Sequence, residues 1–513
     1  MQNELYYGDN LDVLRRKIPS ASVDLCYIDP PFNSKRNYFQ IYNNQGSEDR
    51  AQAQAFVDTW NWGDEAIEGI DYILDIERLN PRAGDTRWTE QTVELIRGLE
   101  KVLGRGSLLA YLVHMTLRIV EIHRVLKPTG SFYLHCDPTA SHYLKLLCDT
   151  IFVADSRGGD FRNEIIWYYY NKMHDSRKKL FARATDTLLF YVKSAEEFTF
   201  KQLQEKREKP VRQLVRKKVG GKMINARDDD GKIMYQVKED RTIDNVWRIP
   251  CIQPADKYQN MGYPTQKPEA LLERVIEASS DDGDVVLDAY CGCGTTVAVA
   301  QRLGRRWIGI DITYQSISLI LKRLEDRYPN DWPAIEANIK LDGVPKDIES
   351  AMALANRKDD KTRKEFEKWA VLTYSRNQAR INEKKGADGG IDGIAYFLKD
   401  RDENGKAIFQ VKSRSGNRSD LATLNSDRQR EKAEFGFLIC TSLPTKPMRD
   451  EIAAAGKYKH PLLDREDDRL QVITVAELFA PHNRRLDLPM ARADAVKSAA
   501  AKGDADKQAA LDL

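Results

Sequence analysis

The chain has 513 residues, which is too many for one hydrophobic core and suggests about three domains. Its hydrophobic fraction of 42% and charged fraction of 31% are typical of globular proteins and exclude disorder along most of the chain. The formal net charge of +2 argues neither for nor against a polyanionic partner, so basic segments have to be sought locally.

The first residues and the cysteines indicate a cellular compartment. The start MQNELYYGDN lacks a basic and then apolar signal, and no apolar run approaches the roughly 20 residues that span a bilayer. Seven cysteines are scattered along the chain without a CxxC pair or a Cys/His set at zinc spacing. We therefore expect a protein of the reducing cytoplasm, in a prokaryotic cell or encoded by a phage, with no membrane partner.

Four short apolar runs predict strands that are buried on both faces. They are VDLCYID (23–29), GSFYLHCD (130–137), DVVLDAY (284–290) and RWIGIDI (306–312). LIRGLEKVL and HMTLRIVEIHRVLKPTG have the apolar spacing of helices, and the second ends in Lys-Pro and then Gly, a helix stop. This alternation predicts an α/β fold with a parallel sheet covered by helices on both faces.

Other segments interrupt this alternation. Residues 201–242 are polar, rich in Lys and Arg and broken by a Gly-Gly pair, which predicts an inserted segment. Residues 341–362 become charged and predict a linker, and a second compact unit is expected at 363–485. The tail 486–513 is rich in Ala, Asp and Lys, and we expect it to be disordered or a loose helix.

The tetrapeptide Asp29-Pro30-Pro31-Phe32, at the end of the first apolar run, is the first candidate for chemistry. An aryl amine is a poor nucleophile, but acceptors on its two hydrogens draw the nitrogen towards a reactive, tetrahedral state. The carboxylate of Asp29 and the carbonyl of Pro30 can supply them, and Phe32 can stack on a base extruded from the duplex. For this motif alone, a loop turn with an N-capping Asp is the alternative.

The segment 288–296, DAYCGCGTT, joins the third predicted strand to a helix. Gly292 and Gly294 would let the backbone approach a ligand closely. The next strand ends in Asp311, near the offset of about 20 residues at which an acidic side chain reaches a ribose. Val297 departs from the dinucleotide pattern GxGxxG, and GxxxxGK[ST] is absent, so a nucleoside without phosphates is favoured over a nicotinamide cofactor.

Together these motifs resemble the DNA amino-methyltransferases of the permuted beta class. In that family the catalytic DPP[YF] comes first, a target-recognition insert follows, here at about 160–255, and the cofactor loop comes last. The segments YPTQKP (263–268) and HRVLKPTGSFYLHCD also match, and the resemblance covers roughly residues 4–325. It implies a Rossmann-like methyltransferase sheet at 1–340 that uses S-adenosylmethionine and double-stranded DNA.

The resemblance also implies which residues bind the cofactor. These are Asp9 in the opening GDNLDVL, Lys267, Pro268, Asp288, Tyr290, Gly292, Gly294, Thr295 and Asp311. The loop departs from the family at Tyr290, where Phe is usual, and at Cys293, where a small residue is common. Cys291 and Cys293 have no Cys or His nearby in sequence with which to form a metal site.

The target base follows from the first motif. In this class Asp at the position of Asp29 goes mostly with adenine, so adenine is favoured and the cytosine amino group is the alternative. Attack on a cytosine ring carbon would need a cysteine nucleophile, typically in a Pro-Cys pair, and the sequence contains none.

A basic stretch at 201–218 is the candidate DNA contact. Its members are Lys201, Lys206, Arg207, Lys209, Arg212, Arg216, Lys217 and Lys218. Such a stretch would neutralise phosphates and make binding salt-dependent. Because Glu205 and Glu208 are interleaved, a solvated helix face is the alternative. The aromatics of WYYYNK (167–172) are expected in the core.

The second unit contains another set of polar residues. KEFEKWAVLTY has helical spacing, and GADGGIDGIAYFL and KAIFQVKSR predict a strand and its return strand. A period of two places Gln410 and Lys412 on one face, where Asp392 of the preceding strand converges with them. Carboxylate and amide oxygens can hold Mg²⁺, and the lysine can position a water for attack on a phosphodiester.

This pattern resembles the Mrr-like branch of the restriction-endonuclease superfamily, in which GIDG is followed by a strand with QxK. Glu367 matches the upstream acidic residue of that family. The resemblance implies a smaller α/β restriction-endonuclease-like domain, with Glu367, Asp392 and Gln410 as metal ligands and Lys412 as a further catalytic residue.

These features favour a single-chain restriction–modification protein. The alternatives are a solitary methyltransferase whose C-terminal domain only grips DNA, and a regulatory DNA-binding protein that has lost both activities. A homodimer, and partner subunits, are left open. No helicase-type nucleotide loop is present in the sequence.

Overall fold

The fold is described from a computed structural model. It describes residues 2–31, 36–40, 53–58, 60, 62–74, 88–154, 157–172, 181–253, 256, 259–261, 263, 265–356, 360–376, 378–381, 390–399, 404–461, 465–479 and 482–488. Phe32 and the tail beyond residue 488 lie outside these residues. Across the described ranges, no helix has the length and hydropathy that a membrane crossing requires.

Two units follow one another along the chain. The strands of the first are β1 (Asn3–Tyr7), β2 (Val23–Ile28), β3 (Arg36–Gln40), β4 (Ala53–Asp58), β5 (Leu126–Cys136), β6 (Asp160–Tyr168), β7 (Thr185–Val192), β8 (Gln204–Leu214), β9 (Arg216–Val219), β10 (Lys222–Asn225), β11 (Tyr235–Thr242), β12 (Val246–Arg248), β13 (Val285–Asp288), β14 (Arg306–Asp311) and β15 (Ile339–Asp342). Its helices are α1 (Asn10–Lys17), α2 (Asp64–Leu74), α3 (Glu90–Leu103), α4 (Ser107–Val125), α5 (Ser141–Cys148), α6 (Glu269–Ser279), α7 (Thr295–Arg302), α8 (Tyr314–Arg327) and α9 (Trp332–Ala337). A π-helical turn, Asp149–Val153, extends α5.

The second unit is smaller. Its helices are α10 (Ile348–Ala355), α11 (Asp360–Tyr374), α12 (Arg418–Arg430) and α13 (Lys446–Ala455). Its strands are β16 (Arg380–Ile381), β17 (Gly393–Leu398), β18 (Asn404–Val411), β19 (Phe435–Cys440), β20 (Lys457–Lys459), β21 (Glu466–Asp468) and β22 (Leu470–Thr474), and a 3₁₀ turn spans Val475–Leu478.

The central sheet of the first unit has nine strands in the order β12-β6-β7-β5-β2-β13-β14-β1-β15. Its strands pair in parallel except β7, which is antiparallel to both β5 and β6. The expectation of a parallel sheet is therefore wrong at β7. An apolar run marks a buried strand but carries no information about its direction, so the sequence could not reveal this reversal.

The sheet is buried on both faces because residues of one strand alternate between two apolar layers. In β2, Cys26 and Ile28 pack into the layer that contains α4, whereas Leu25 and Tyr27 pack into the layer with α6 and α7. Each fully buried side chain of this size contributes about 1.5–3 kcal/mol. Helices on both sides hold the strand ends in place, as the alternation of strands and helices predicts.

The expected insert at about 160–255 is only partly an insertion, because β6, β7 and β12 belong to the central sheet. What extends from the sheet is an arm, residues 204–242, in which β8 pairs antiparallel with β11 and β9 with β10. The alternative of a helix for the basic stretch is therefore wrong. In the aromatic stretch before the arm, Trp167 and Tyr169 are buried in the core as expected, but Tyr168 and Tyr170 are exposed. The expectation is wrong for these two tyrosines, because successive side chains of an extended segment point to opposite sides.

Most of the expected linker is structured. Strand β15 ends at Asp342 within the central sheet, and α10 begins with a capping box formed by Asp347 and Ser350. Ala351 and Ala355 of α10 are buried in the core of the second unit. The small side chains and the high charge of this region concealed its one apolar face.

The second unit has a five-stranded sheet in the order β16-β17-β18-β19-β22. Strands β17 and β18 form the expected antiparallel pair, and β18, β19 and β22 are parallel. The start of the expected tail is held in place, because Leu486 donates its backbone N–H to the carbonyl of Tyr374 at 2.7 Å.

The two units meet where α11 packs against the start of α8. Glu365 of α11 accepts the backbone N–H of Tyr314 at 3.1 Å and the hydroxyl of Tyr7 at 3.4 Å. The hydroxyl of Tyr314 lies 3.3 Å from that of Thr373, and its ring belongs to the apolar core of the second unit. The first unit thus contributes a side chain to the core of the second.

Candidate active sites

Two candidate segments meet at one edge of the central sheet. Strands β2 and β13 are parallel neighbours, with Leu25 opposite Val286 and Cys26 opposite Leu287. Asp29 follows β2 and Asp288 ends β13, so both lie at the carboxyl ends of adjacent strands. In open α/β sheets this edge is where ligands bind.

Lys267 joins these segments. Its ammonium forms an ion pair with Oδ2 of Asp29, and its carbonyl accepts the hydroxyl of Thr295, at the start of α7, at 3.3 Å. Lys267 is itself buried, and Pro268 after it caps α6. The lysine therefore fixes the carboxylate relative to the glycine loop.

Asp29 keeps one oxygen available. Among the residues that the structure describes, Oδ1 of Asp29 has no hydrogen-bond partner although it is buried. A buried, unpaired carboxylate oxygen is costly and calls for an explanation, such as a donor that the ligand brings. Pro30 is buried and Pro31 is partly exposed beside it.

The two acidic residues of the loop region shape its backbone. Asp288 accepts the backbone N–H of Tyr290 at 3.0 Å and the hydroxyl of Thr296 at 2.5 Å. Asp311 accepts the backbone N–H of Gly292 at 2.9 Å with Oδ2. Burial raises the pKa of Asp288 to about 7 and also raises the pKa of Asp311.

The glycines are needed for close packing as well as for conformation. Gly292 and Gly294 have φ of 48° and 73°, in the left-handed region. A Cβ at Gly292 would lie 3.2 Å from the ring of Tyr263, and one at Gly294 would lie 2.5 Å from Ile320. Tyr263, the first residue of YPTQKP, thus covers the loop and was not among the predicted site residues.

Asp9 and Tyr290 lie at the other side of the loop. Asp9 caps α1 and pairs with Arg118 of α4 at 2.7 Å, and Asn10 donates to the carbonyl of Ala289 at 2.8 Å. A ring nitrogen of His114 lies 3.0 Å from the hydroxyl of Tyr290.

His114 and Arg118 were also missed by sequence reasoning. They are four residues apart and therefore share one face of α4. That face looks like part of an amphipathic pattern when only the sequence is known.

The second candidate site lies between β17 and β18. Asp392 accepts the backbone N–H of Val411 at 2.7 Å, and the amide nitrogen of Gln410 donates to the carbonyl of Gly390 at 3.1 Å. Within the described residues, Oε1 of Gln410 is buried without a hydrogen-bond partner. The antiparallel register, in which Gly393 lies opposite Phe409, places Asp392 and Gln410 near each other.

The charges of Glu367 and Lys412 both influence the pKa of the Asp392 carboxyl group. The pKa of Asp392 is raised to about 7, first by burial and then by the charge of Glu367, while Lys412 and Lys364 act to lower it. No group of three or more His, Cys, Asp or Glu side chains suited to a metal occurs in the described parts of the chain. A metal here would rest on two carboxylates and the amide oxygen of Gln410.

Comparison with known proteins agrees with this division. The family described as DNA methylase matches residues 23–322, and the family described as restriction endonuclease matches residues 359–467. The DNA adenine methyltransferase YhdJ of Escherichia coli (strain K12) is 29% identical over 324 residues, 63% of this chain and 82% of the relative. The type II methyltransferase M.HpaI of Haemophilus parainfluenzae is 30% identical over 220 residues, 43% of this chain and 61% of the relative.

Among solved structures, the PvuII DNA methyltransferase (cytosine-N4-specific) aligns with a TM-score of 0.36 at 17% identity. The alignment covers 67% of this chain and 95% of that chain.

Replacing Gly294 by Ala should destabilise the first unit. The left-handed φ costs about 1–2 kcal/mol for a residue with a Cβ, and the clash with Ile320 adds about 1–3 kcal/mol. Gly304→Ala is the matched control, because Gly304 has the same φ of 73° but open space around its Cβ. Chemical denaturation should give the larger loss for Gly294→Ala, and equal losses would show that the contact with Ile320 is unimportant.

The raised pKa of Asp288 predicts a pH-dependent stability. Its folded pKa of about 7 exceeds the ordinary value of 3.8, so the folded state binds a proton that the unfolded state has lost between these values. The free energy of unfolding should therefore fall as the pH rises from about 4 to about 7.

Asp288→Asn should reduce this fall, and Asp12→Asn, at an exposed position of α1, should not. Denaturation curves at pH 4.5 and 7.5 measure the difference. An unchanged fall in Asp288→Asn would contradict the assignment.

Proposed function

Because the chain belongs to the DNA methylase family and carries a restriction endonuclease domain, we propose that it methylates and cleaves double-stranded DNA. The first unit transfers a methyl group from S-adenosylmethionine to the exocyclic amino group of adenine, and the second hydrolyses phosphodiester bonds with Mg²⁺. The observation that carries the methyl transfer is the buried Oδ1 of Asp29 beside the glycine loop, which has no hydrogen-bond partner among the described residues.

The loop region fits a nucleoside cofactor. Asp311 lies at the end of β14, where an acidic side chain can reach ribose hydroxyls. Ile312 next to it is 49% exposed and offers an apolar surface to an adenine ring. Gly292, Gly294 and Tyr290 would form the wall between this position and Asp29. When bound, S-adenosylmethionine supplies an electrophilic methyl group.

Asp29 would act directly on the target amine. Its Oδ1 would accept one hydrogen of the amino group, and the carbonyl of Pro30 the other, so that the nitrogen lone pair is directed towards the methyl group. Lys267 holds Oδ2 and leaves Oδ1 as the acceptor. Since the amino group is unreachable inside a duplex, the base has to be flipped, and Phe32 is the proposed stacking partner.

Adenine is the favoured base. An exocyclic amino group of cytosine offers the same two hydrogens, so this geometry alone serves both. The Asp at position 29 and the similarity to a DNA adenine methyltransferase support adenine.

The residues of the second unit fit a hard cation. Oε1 of Gln410 is a buried oxygen without a partner among the described residues, and Asp392 and Glu367 supply negative charge. These three residues would hold Mg²⁺, which stabilises charge at the phosphate. Lys412, close enough to influence Asp392, would orient the attacking water. Methylation of the recognition sequence would then protect the host DNA from this cleavage.

Asp29→Ala should lower methyl transfer by at least about 100-fold, because a positioned proton acceptor contributes about 10²–10⁴-fold. Binding of S-adenosylmethionine, measured by calorimetry, and Mg²⁺-dependent cleavage should remain. Asp12→Ala is the control, since Asp12 is an exposed aspartate of α1 that pairs with Arg16 of the same helix. Incorporation of labelled methyl groups measures transfer, and full activity of Asp29→Ala would refute the proposed role.

Lys412→Ala should have the opposite effect, abolishing cleavage and leaving methyl transfer intact. Nicking of unmethylated and methylated plasmids with Mg²⁺ or Mn²⁺ measures cleavage, and Lys432→Ala, in the same unit but outside the site, is the control. If the wild-type chain methylates but never nicks DNA in either methylation state, the second unit is a DNA-gripping domain.

A further inference from the structure

Two contacts with α6 indicate the direction in which the arm leaves the central sheet. The backbone N–H of Lys201 donates to the carbonyl of Ala278 near the C-terminal end of α6, and Glu205 pairs with Arg274 in the middle of that helix. The chain entering the arm therefore runs along α6 towards its N-terminal end, which Lys267 attaches to Asp29.

From its contact with Arg274 onwards, the arm is longer than the part of α6 that leads from Arg274 to the N-terminal end of the helix. From Glu205 to Leu214, β8 spans about 30 Å at 3.3 Å per residue. From Arg274 back to Glu269, α6 covers only about 8 Å. The distal part of a ribbon that keeps this direction extends beyond the active-site edge by about 20 Å.

The two faces of this part differ in chemistry. Cross-strand partners point to the same side, so the pairs Gln213–Gln236 and Val211–Lys238 share one face, which we call the Gln face. Both glutamines are exposed. On the opposite face, the guanidinium of Arg212 lies 4.9 Å from the centre of the Tyr235 ring. These two side chains therefore contact each other through a cation–π interaction.

Charge favours a polyanion as the occupant of the Gln face. Residues 204–242 contain twelve Lys and Arg against seven Asp and Glu. Like charges on two copies of the arm would repel each other, whereas DNA phosphates would be attracted. A two-stranded ribbon fits the major groove, where a glutamine amide can pair with N6 and N7 of adenine.

We infer that the distal arm enters the major groove next to the target base and that Gln213 and Gln236 read base edges there. This inference rests on the proposed function, since it assumes that the edge with Asp29 faces DNA. It assigns sequence recognition to the Gln face and leaves phosphate contacts to the lysines and arginines around it.

The test compares the full-length chain with Gln213→Ala/Gln236→Ala and with Gln204→Ala. Gln204 is a matched control, because it lies at the base of the same ribbon and is hydrogen-bonded to Thr242. Each protein is incubated with a library of random DNA duplexes and S-adenosylmethionine, and both the methylated and the bound duplexes are sequenced. Light scattering measures the oligomeric state.

The double variant should lose discrimination at one or two base positions by about 10-fold or more, the effect of a bidentate base contact. Gln204→Ala should keep the wild-type recognition sequence. An unchanged recognition sequence in the double variant would overturn the inference, and so would equal relaxation in Gln204→Ala. A change of oligomeric state in the double variant would also overturn it, because the face would then bind a second copy.

The same experiment distinguishes failure of the proposed methyl transfer from failure of this inference. If the wild-type chain methylates no sequence but its bound duplexes share a motif that the double variant loses, the inference stands and the methyl transfer does not.

Discussion

The parallel pairing of β2 with β13 is the constraint on which the first site depends. It brings two segments that are about half the chain apart in sequence to one edge of a sheet, and both strands end there at an acidic residue, Asp29 or Asp288. The proposed methyl transfer needs both segments. The apolar layers on both faces of the sheet hold this pairing in register, so the precision of the site derives from the core.

At this edge some charged side chains stabilise the backbone or another side chain, and Asp29 is the proposed acceptor for the substrate. Asp288 and Asp311 accept hydrogen bonds from backbone N–H groups of the glycine loop, and Lys267 forms an ion pair with one oxygen of Asp29. Burial disfavours the ionised form of Asp288, and its pKa of about 7 reflects this cost. Among the described residues, Oδ1 of Asp29 has no hydrogen-bond partner, whereas Asp288 and Asp311 accept hydrogen bonds from the glycine loop.

The sequence revealed the strand ends and both families because those features are local or have a fixed order. Asp29, Gly292 and Asp392 could be picked out from motifs beside apolar runs. His114 and Arg118 could not, because their role arises only when α4 packs against segments far away in the chain.

The sequence did not predict the direction of β7 or the extended form of the arm, for a related reason. Both are decided by which strand a segment pairs with, and a short window of residues does not encode its partner. The capping box of α10 was readable, but the charges around it favoured the interpretation as a linker.

The contact of Tyr314 with α11 limits how the protein can be divided. Tyr314 begins the helix that follows Asp311, and it is only 8% exposed because the second unit covers it. Expressed separately, the first half would present this aromatic ring to water, and the second half would have a gap in its interior. The junction between the two units is thus part of both cores. If the second unit were fused to a different protein, that protein would have to supply a side chain in place of the Tyr314 ring.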